Sequence, residues 1–422
     1  MAYLIERNKI NKEQSKDILK ALSINSLEND TNIKFYLIED GILKLPYIFG
    51  ISFFQNIPDF NFKIHNYEFT GQLRENQIEV EKEAWNQLET YGTTTLGLYP
   101  GFGKTILGAK LCSNSKLLTV ILVHREILLD QWKKTFKLFT NAKVVIIEFN
   151  KNQEKEIEEA DVIITMDKRF NKIKNYKEVG FLIIDEAHVF CTPKHIECLL
   201  YFQPKYIVIE TATLERDDNL HHMLYALVGE HGVFRETTIP FNVTKVITDI
   251  IPEREYNRGK IVWPTFVKTT LINEKRNKYI IDMVLNNLDK NILILTSLVE
   301  HVNILINLLQ EQNIKCDSLY GKKKKYIDCS ILIGTTSKIG TGFDQSSSCE
   351  NFSGKTFNFL MLVCSIKKYS MLIQNVGRVF RSKEVPMIMH FVDNDSIYKS
   401  HWYQARKWYL SRGGKIRNLI LN

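Results

Sequence analysis

The chain has 422 residues, which is enough for two domains that each bury a hydrophobic core. Its content of 44% hydrophobic and 25% charged residues is typical of a soluble protein, and no apolar run is long enough to span a bilayer, which argues against a membrane protein. The 56 basic and 48 acidic residues give a net charge of +8, an excess that is compatible with a polyanionic partner.

The start of the chain and its cysteines bear on where the protein works. The first residues lack the long apolar core and the cleavage site of a secretory signal. The seven cysteines are odd in number and scattered, without a C-x-x-C pair, so they signal neither a disulfide framework nor a zinc site. We therefore expect an intracellular, soluble protein with reduced thiols. The abundance of Lys and Asn hints at an AT-rich genome, and for a viral protein we expect the virion or the host cytoplasm.

Residues 1–68 are predicted to form a small accessory segment without assignable chemistry. Residues Lys12 to Leu22 have a weakly helical pattern. The apolar stretch from Gly41 to Phe54 predicts short strands interrupted at Pro46 and Pro58, because proline cannot donate to a strand ladder.

A regular alternation of short β-branched runs and helical periodicity begins at about residue 69. Strands separated by helices in this way predict a parallel sheet that is buried on both faces. We assign residues 69–240 to a first α/β domain. Its predicted strands are Leu96–Tyr99, Leu118–Val123, Val144–Phe149, Val162–Thr165, Phe181–Ile184 and Tyr206–Glu210.

A less regular segment that contains Pro240, Pro252 and Pro264 is predicted to connect two domains, with residues 241–275 as the linker. The alternation then restarts and predicts a second α/β domain over residues 276–422, without a phosphate-binding loop of its own. Its predicted helices are Glu274–Leu288, Val299–Gln312, Tyr369–Val376 and an aromatic helix at His401–Leu410, and its predicted strands are Ile292–Thr296, Ile331–Thr335, Phe359–Val363 and Met387–Val392. The aromatic residues of the last helix are expected to pack as core.

A glycine turn between an apolar strand and a helix predicts a phosphate-binding loop in the first domain. Gly101 and Gly103 allow turn conformations in which successive backbone N–H groups point at a phosphate. Lys104 then supplies a positive charge, and Thr105 supplies a hydroxyl for a magnesium ion that bridges the β- and γ-phosphates of ATP. Leu98 stands where the longer form of the motif has a glycine, so a strand, turn and helix with an incidental lysine stays as the alternative.

Asp185 and Glu186 end an apolar strand that begins at Phe181. Hydrolysis of ATP needs one carboxylate to hold magnesium and another to polarise the attacking water. Because the ends of neighbouring parallel strands lie at one edge of a sheet, both carboxylates are expected across from Lys104. We assign Asp185 to the metal and Glu186 to the water.

Asp-Glu-Ala-His at residues 185–188 is a helicase-type motif, and similar motifs stand in order along the chain. They are Leu73–Gln77, similar to the element that contacts adenine, Val123–Trp132, similar to motif Ia, Thr211–Thr213, similar to motif III, Ile333–Asp344, similar to motif V, and Gln374–Arg381, similar to motif VI. The ordered set resembles the helicases of superfamily 2 over about residues 69–410. Within that superfamily, Thr211–Asp218 resembles the XPB-like branch, which includes UvsW-type and poxvirus transcript-release helicases. Two positions depart from the relatives' pattern, with Asp217 in place of glutamate and Asn375 in place of a further arginine.

The resemblance implies an α/β fold with two tandem RecA-like domains, and it implies roles for three groups of residues. The groups contact the nucleotide, couple the ATP site to the nucleic acid, and contact the nucleic-acid backbone. The first group is Arg74, Gln77 and Gln374, the second is His188, Thr211 and Thr213, and the third is His124, Arg125, Thr165, Ser297, Thr336 and Lys338.

Arg378 and Arg381 are predicted to act on ATP from the second domain. Phosphoryl transfer spreads negative charge over the γ-phosphate oxygens, and a guanidinium delivered from another domain stabilises that charge. Such a role explains a second domain without a phosphate loop. A solvated face or an ion pair between domains is the alternative for either arginine.

The sequence therefore predicts an ATP-driven DNA helicase or translocase, with ATP in the cleft between the two domains and the nucleic acid across them. ATP and Mg²⁺ are the predicted cofactors, and DNA is the predicted partner. A transcription or replication machinery is a further predicted partner. An RNA helicase of the same superfamily is one alternative. A nucleic-acid-binding clamp without unwinding activity is the other, and ATPase rates with DNA or RNA would separate the three.

Overall fold

A computed structural model describes residues 2–26, 32–149, 151–211, 218–236, 239–340 and 343–421. The chain divides into two compact units, residues 1–98 with 102–235 and residues 99–101 with 236–422. Each unit is built around one seven-stranded parallel sheet. Among the described residues, no helix has the length and apolar character needed to cross a lipid bilayer.

The N-terminal residues of the first unit form two small antiparallel sheets and two helices. Their order is β1 (Ala2–Glu6), α1 (Lys12–Ala21), β2 (Ser23–Asn25), β3 (Asn32–Lys34), β4 (Leu37–Glu39), β5 (Ile42–Pro46) and α2 (Tyr47–Phe54). The strands pair in the orders β1-β5-β4 and β2-β3. The predicted helix at Lys12–Leu22 is confirmed, and it begins with a cap in which the Asn11 side chain accepts from the Gln14 amide at 2.8 Å.

The apolar stretch after Pro46 is the helix α2, so the prediction of a strand there was wrong. Its residues are nearly all apolar, and a short run that is apolar throughout has neither the strand period nor the helix period. A glycine lets the helix pack against β1, because a Cβ at Gly50 would lie 2.2 Å from the Cβ of Tyr3. Tyr3 also stacks on Phe54, with ring centroids 5.4 Å apart. Packing against β1 therefore favours a helix in this stretch.

The larger part of the first unit alternates strands and helices. The strands are β6 (Thr93–Leu98), β7 (Thr119–Val123), β8 (Val144–Ile146), β9 (Val162–Met166), β10 (Phe181–Asp185), β11 (Tyr206–Thr211) and β12 (Val233–Arg235), and the helices are α3 (Glu75–Tyr91), α4 (Lys104–Ser115), α5 (Glu126–Phe139), α6 (Glu154–Glu158), α7 (Ile196–Leu199) and α8 (His222–Val228). The sheet order is β12-β6-β11-β10-β7-β9-β8, with all pairs parallel. The predicted strands are confirmed with small differences at their ends, whereas the edge strand β12 was not predicted.

The central strands of this sheet are buried on both faces, and every residue of β7 and β10 is buried. The N-terminal segment shares the same core. The Ala2 amide donates to the Phe202 carbonyl at 2.9 Å, and Phe35 and Tyr47 belong to the apolar cluster that contains Leu118. Because the strands are parallel, the chain segments that follow them leave the sheet at one edge. Most predicted site residues of this unit lie at or just after those strand ends, whereas Arg74 and Gln77 lie at the start of α3.

The second unit has the same kind of architecture. Its elements are β13 (Asn242–Thr248), β14 (Tyr256–Asn257), β15 (Lys260–Ile261), α9 (Trp263–Leu271), α10 (Glu274–Leu285), β16 (Ile292–Thr296), α11 (Val299–Glu311), β17 (Asp317–Leu319), β18 (Tyr326–Ile327), β19 (Ile331–Thr335), α12 (Thr336–Ile339), α13 (Gln345–Ser348), β20 (Cys349–Glu350), β21 (Phe359–Leu362), α14 (Tyr369–Val376), β22 (Met387–Val392), α15 (Ser396–Ser411) and β23 (Lys415–Leu421). The sheet order is β17-β19-β16-β21-β22-β13-β23, again with parallel pairs. The predicted strands and helices of this domain are confirmed, while β13, β17 and β23 were not predicted.

The segment predicted as a linker, residues 241–275, contributes instead to the second sheet. Its strand β13 pairs with β22 on one side and β23 on the other, and Val243 and Val246 are fully buried. The prolines that suggested an irregular connection lie outside this strand. Pro264 is in the first turn of α9, a position where proline is favoured because no intrahelical N–H bond is lost.

The aromatic helix near the end of the chain is confirmed as core. Trp402, Trp408 and Tyr409 of α15 are buried, and the Tyr409 ring lies 6.1 Å from that of Phe241, beside β13. The exposed exception is Tyr403, on the opposite side of the helix from this cluster by its spacing.

Gly50→Ala is expected to destabilise the protein, although alanine is ordinarily the better residue inside a helix. The added methyl group would overlap Tyr3, and such overpacking costs about 1–3 kcal/mol. Thermal unfolding followed by circular dichroism should show a melting temperature that is lower by several degrees. Ser52→Ala, at an exposed position of the same helix, is the control and should melt at or slightly above the wild-type temperature. An unchanged melting temperature for Gly50→Ala would contradict the packing of α2 on β1.

Candidate functional site

The turn before α4 has the backbone of a phosphate-binding loop. Gly101 and Gly103 have φ angles of 89° and 100°, in the left-handed region that favours glycine. Lys104 is the first residue of α4, and its ammonium group donates to the Leu98 carbonyl at 3.0 Å. The first N–H groups of a helix have no partner within the helix. The start of α4 therefore offers hydrogen-bond donors and the positive end of the helix dipole to an anion.

Arg74 and Gln77, at the start of α3, hold this loop in place. The Arg74 guanidinium and the Gln77 amide both donate to the Phe102 carbonyl, the amide at 2.9 Å. The Gln77 side-chain oxygen accepts from the Arg74 backbone N–H at 2.9 Å. A Cβ at Gly103 would lie 2.4 Å from Gln77 Nε2, so this close approach requires a glycine. The structure thus brings both residues to the loop, while their contact with adenine stays a prediction.

Asp185 is the last residue of β10, and its buried carboxyl group accepts a hydrogen bond from the Trp132 indole at 2.9 Å. Burial and, next, the charge of Glu186 raise the pKa of Asp185 to about 6, while the Trp132 hydrogen bond and the charge of Lys104 oppose that shift. The effect of Lys104 on Asp185 means that the glycine loop and the end of β10 share one electrostatic environment. Trp132, on α5, is a supporting residue to which the sequence analysis gave no role.

Glu186, His188 and Thr211 form a chain of polar contacts. Glu186 has a φ angle of 52°, a left-handed conformation that is uncommon for a residue other than glycine. His188 Nδ1 lies 3.4 Å from Glu186 Oε2 and 3.1 Å from Thr211 Oγ1. The structure therefore brings these three residues together, and their coupling function stays a prediction. Thr213 and Asp217 lie outside the described residues.

A third acidic side chain, Glu210, was not predicted. It stands opposite Asp185 in the parallel register of β10 and β11, and it is 1% exposed. Neither of its carboxyl oxygens has a hydrogen-bond partner among the residues that the structure describes. Burial and, next, the charge of Asp185 hold the pKa of Glu210 well above the usual range of glutamate, against the opposing charge of Lys104. The signal in the sequence is the single acidic residue within the apolar strand β11.

The oxygen donors at this edge of the sheet fit a magnesium nucleotide. Mg²⁺ is commonly bound by one or two protein oxygens together with phosphates and waters. The Asp185 carboxylate and the Thr105 hydroxyl, in the first turn of α4, are hard oxygen donors of that kind. The buried acid Glu210 adds a group that a nearby cation would stabilise in its charged form. Donor chemistry and charge therefore suit Mg²⁺ with a nucleoside triphosphate.

Arg378 and Arg381 contact the segment that begins at Phe343 in the second unit. The Arg378 guanidinium donates to the Phe343 carbonyl at 2.6 Å, and Arg381 Nη1 lies 2.6 Å from Asp344 Oδ2. Although burial would raise it, the pKa of Asp344 is lowered by a neighbouring serine hydroxyl and by Arg381. Both arginines thus stabilise the segment of the predicted motif V in this structure. Gln374, on α14, is buried, with 8% of its surface exposed.

Two residues predicted to contact nucleic acid have buried side chains. Thr165 is fully buried in β9, and its hydroxyl donates to the Met166 carbonyl at 3.3 Å. Thr336, at the start of α12, is 6% exposed, whereas its neighbour Ser337 is exposed. The predicted nucleic-acid contacts of Thr165 and Thr336 stay predictions, and in this conformation their backbone groups are better placed to make them than their buried side chains.

The other nucleic-acid candidates are at least partly exposed. His124 and Arg125 follow β7 directly, and the exposed Ser297 follows β16. Burial and, next, the charge of Arg125 lower the pKa of His124 to about 4, so the imidazole is neutral near pH 7. The Lys338 ammonium donates to the Gly321 carbonyl at 3.0 Å. Within each unit these residues lie at the carboxyl ends of parallel strands, where open α/β sheets bind ligands.

Glu210→Gln should make the stability of the protein less sensitive to pH. A carboxyl group whose pKa is raised by folding keeps its proton in the native state, while the unfolded chain loses it above about pH 4.3. The native state therefore loses stability as the pH rises, and an amide that cannot release a proton removes this loss. Urea unfolding at several pH values should show the free energy of unfolding of the variant, relative to wild type, increasing between about pH 4.5 and pH 7.

Glu89→Gln, at an exposed position of α3, is the control for the same change of side chain. Its stability relative to wild type should not follow that trend. If the free energy of unfolding of Glu210→Gln differs from that of wild type by the same amount at every pH, Glu210 has the same pKa in the folded and unfolded chains.

Comparison with known proteins shows what the chain is similar to. Residues 70–216 match the family model described as type III restriction enzyme, res subunit. Protein 161L of Invertebrate iridescent virus 6, which is named as a helicase, is 29% identical over 99% of this chain and 98% of its own length. Transcript termination protein A18 of Yaba-like disease virus is 26% identical over 72% of this chain and 67% of its own length.

The fold also has a solved counterpart. The structure of S. cerevisiae Dbp5 bound to RNA and ADP BeF3 is similar over 81% of this chain and 89% of that chain, with a TM-score of 0.56 and 12% identity. This likeness shows the α/β fold with two RecA-like domains. The family match and the viral relatives are consistent with a superfamily 2 helicase of the branch that includes the poxvirus transcript termination proteins.

Proposed function

We propose that the protein is an ATP-dependent helicase or translocase that moves on or unwinds DNA. One observation carries the proposal: Asp185 and Glu210 stand opposite each other on neighbouring parallel strands, and the glycine turn and Lys104 follow β6, the strand next to β11. A glycine loop, a lysine and adjacent acids at one edge of a parallel sheet are the groups that phosphoryl transfer from ATP requires. This arrangement supports an ATPase as the motor of the protein.

Each residue of that site has a distinct task in the proposed reaction. The amides at the start of α4 and the Lys104 ammonium bind the phosphates. Asp185 and Thr105 hold Mg²⁺, which neutralises charge on the β- and γ-phosphates. Glu186 accepts a proton from the attacking water. His188 lies 3.4 Å from Glu186 and 3.1 Å from Thr211, so it connects Glu186 to the end of β11.

Arg378 and Arg381 are proposed to stabilise the charge that develops on the γ-phosphate. In this structure they bind the Phe343 carbonyl and the Asp344 carboxylate. If binding to a phosphate replaces these contacts, the segment that begins at Phe343 loses two of its attachments. Hydrolysis would then be linked to a rearrangement within the second unit, as a motor requires.

DNA is the proposed track of this motor. The net charge of +8 suits a polyanion, and contacts to phosphates carry no base information, which suits movement over any sequence. The similarity to transcript termination protein A18 supports viral transcription as the setting. RNA is the alternative track, since Dbp5 was solved bound to RNA.

ATPase rates with different nucleic acids test the proposal. We expect hydrolysis by the wild-type protein to increase with single-stranded or duplex DNA, and to increase less with RNA of the same length. Lys104→Ala is the control, because it removes the charge that binds phosphate from a partly exposed position and should abolish hydrolysis without unfolding the chain. Stimulation by RNA alone would favour the RNA helicase. Binding of nucleic acid without any hydrolysis would favour the clamp.

Glu186→Gln should bind ATP with magnesium but hydrolyse it at least about a hundredfold more slowly. The amide keeps the shape of the side chain and cannot accept the proton of the attacking water. Nucleotide affinity and single-turnover hydrolysis are the measurements. Glu197→Gln, at an exposed position of α7, is the matched control and should behave like wild type. Loss of nucleotide binding in Glu186→Gln would instead assign Glu186 to the metal.

A further inference from the structure

Phe149 is an exposed aromatic residue in the segment that follows β8. Its exposed fraction is 68%, although large apolar side chains are usually covered. Two basic side chains lie against its ring, with the Arg169 guanidinium 5.9 Å and the Lys172 ammonium 5.7 Å from the ring centroid. Both come from the segment that follows the neighbouring strand β9. The cluster of Phe149, Arg169 and Lys172 therefore joins the ends of two adjacent strands.

The same two cations fix the backbone that carries the ring. Arg169 Nη1 donates to the Ile147 carbonyl at 3.0 Å, and Lys172 Nζ donates to the Glu148 carbonyl at 2.8 Å and to the Phe149 carbonyl. Three successive carbonyl groups are thus tied to side chains of one neighbouring segment. A ring on a backbone held in this way is presented to solvent with little conformational entropy left to lose on binding.

The charge around the ring is mixed, and Lys172 supplies its unpaired positive charge. Glu126 Oε1 is 3.6 Å from Arg169 Nη2, Glu148 Oε1 is 2.8 Å from Lys151 Nζ, and Glu156 accepts a hydrogen bond from Gln153. In the part of the chain that the structure describes, the Lys172 ammonium donates only to carbonyl groups. No acid there pairs with its charge. An anionic group that approaches the ring would therefore meet a favourable potential.

The cluster also lies at the functional edge of the first sheet. Strands β8, β9 and β7 are parallel neighbours, so the segments that follow them leave the sheet on the same side. His124 and Arg125, which the resemblance assigns to nucleic-acid contacts, follow β7. The Phe149 ring therefore lies at the same edge of the sheet as the residues that are assigned to nucleic-acid contacts.

We propose that Phe149 is a platform on which one base of a single-stranded DNA stacks, with Arg169 and Lys172 beside it for the adjacent phosphates. The inference rests on the proposed function, since it names a contact of the nucleic acid that the motor binds. Every base has a π face, so stacking on an aromatic ring needs no particular sequence. Flanking cations supply the sequence-independent attraction to the backbone. A ring face and two cations are the combination that single-strand binding surfaces use.

The test compares variants of the full-length protein for binding to a single-stranded oligothymidylate that contains one 2-aminopurine. Phe149→Ala should weaken binding by about tenfold and should reduce the change in 2-aminopurine fluorescence that stacking produces. Phe149→Tyr should bind like wild type, while Phe149→Leu, which is apolar without a π face, should bind like the alanine variant. Tyr403→Ala removes an equally exposed aromatic residue, 64% exposed, from the second unit and should leave binding unchanged.

Salt dependence separates stacking from charge. The slope of log affinity against log salt should be the same for Phe149→Ala as for wild type, because no phosphate contact is lost. Wild-type affinity in Phe149→Ala, or full affinity in Phe149→Leu, would overturn the stacking platform and leave the motor function intact. Failure of the wild-type protein to bind any single-stranded DNA would overturn the platform together with the proposed DNA motor.

Discussion

Buried negative charge at the end of the first sheet is the constraint on which the nucleotide site depends. The register of β10 and β11 sets Asp185 opposite Glu210, and both carboxyl groups are removed from water. Ionisation of both acids in one low-dielectric environment is unfavourable, because each negative charge is desolvated and repels the other. Lys104 supplies one positive charge that opposes this effect. The native state therefore carries an electrostatic cost at this edge. In the proposed function, a bound Mg²⁺ would lower that cost, so part of the stability lost at this edge would contribute to affinity for the metal nucleotide.

The two sets of basic residues are held in different ways. Arg74 is engaged with the glycine loop through the Phe102 carbonyl, and this contact keeps the loop in a conformation that only glycine allows at residue 103. Arg381 is engaged with Asp344, an acid within its own unit. The first contact orders the loop of the candidate phosphate site, whereas the second engages one nitrogen of the guanidinium, Nη1, within the second unit.

The local sequence pattern was sufficient to predict most strands of the two sheets, because these strands are runs of β-branched residues with an apolar composition. The local pattern failed where contacts with other parts of the chain determine the secondary structure. The run at Tyr47–Phe54 is apolar throughout and becomes a helix through its contact with Tyr3, and β13 was hidden by prolines that lie outside it. In the site, motif order predicted Lys104, Asp185 and Glu186, which the structure brings together. The orientation of Thr165 and the environment of Glu210 depend on strand register, which no motif contains.

The position of β13 also sets the order in which the protein can be made. The first sheet draws all its strands from one continuous stretch of chain that precedes the second unit, although its first strand, β6, pairs with its last two, β11 and β12. In the second unit β13 is likewise synthesised first, and both of its partners, β22 and β23, come from the far end of that unit. Until those residues leave the ribosome, β13 is an apolar strand with two unpaired edges. During translation, the nucleotide-binding half can therefore fold first, while β13, the strand nearest to it in sequence, remains in need of protection from aggregation.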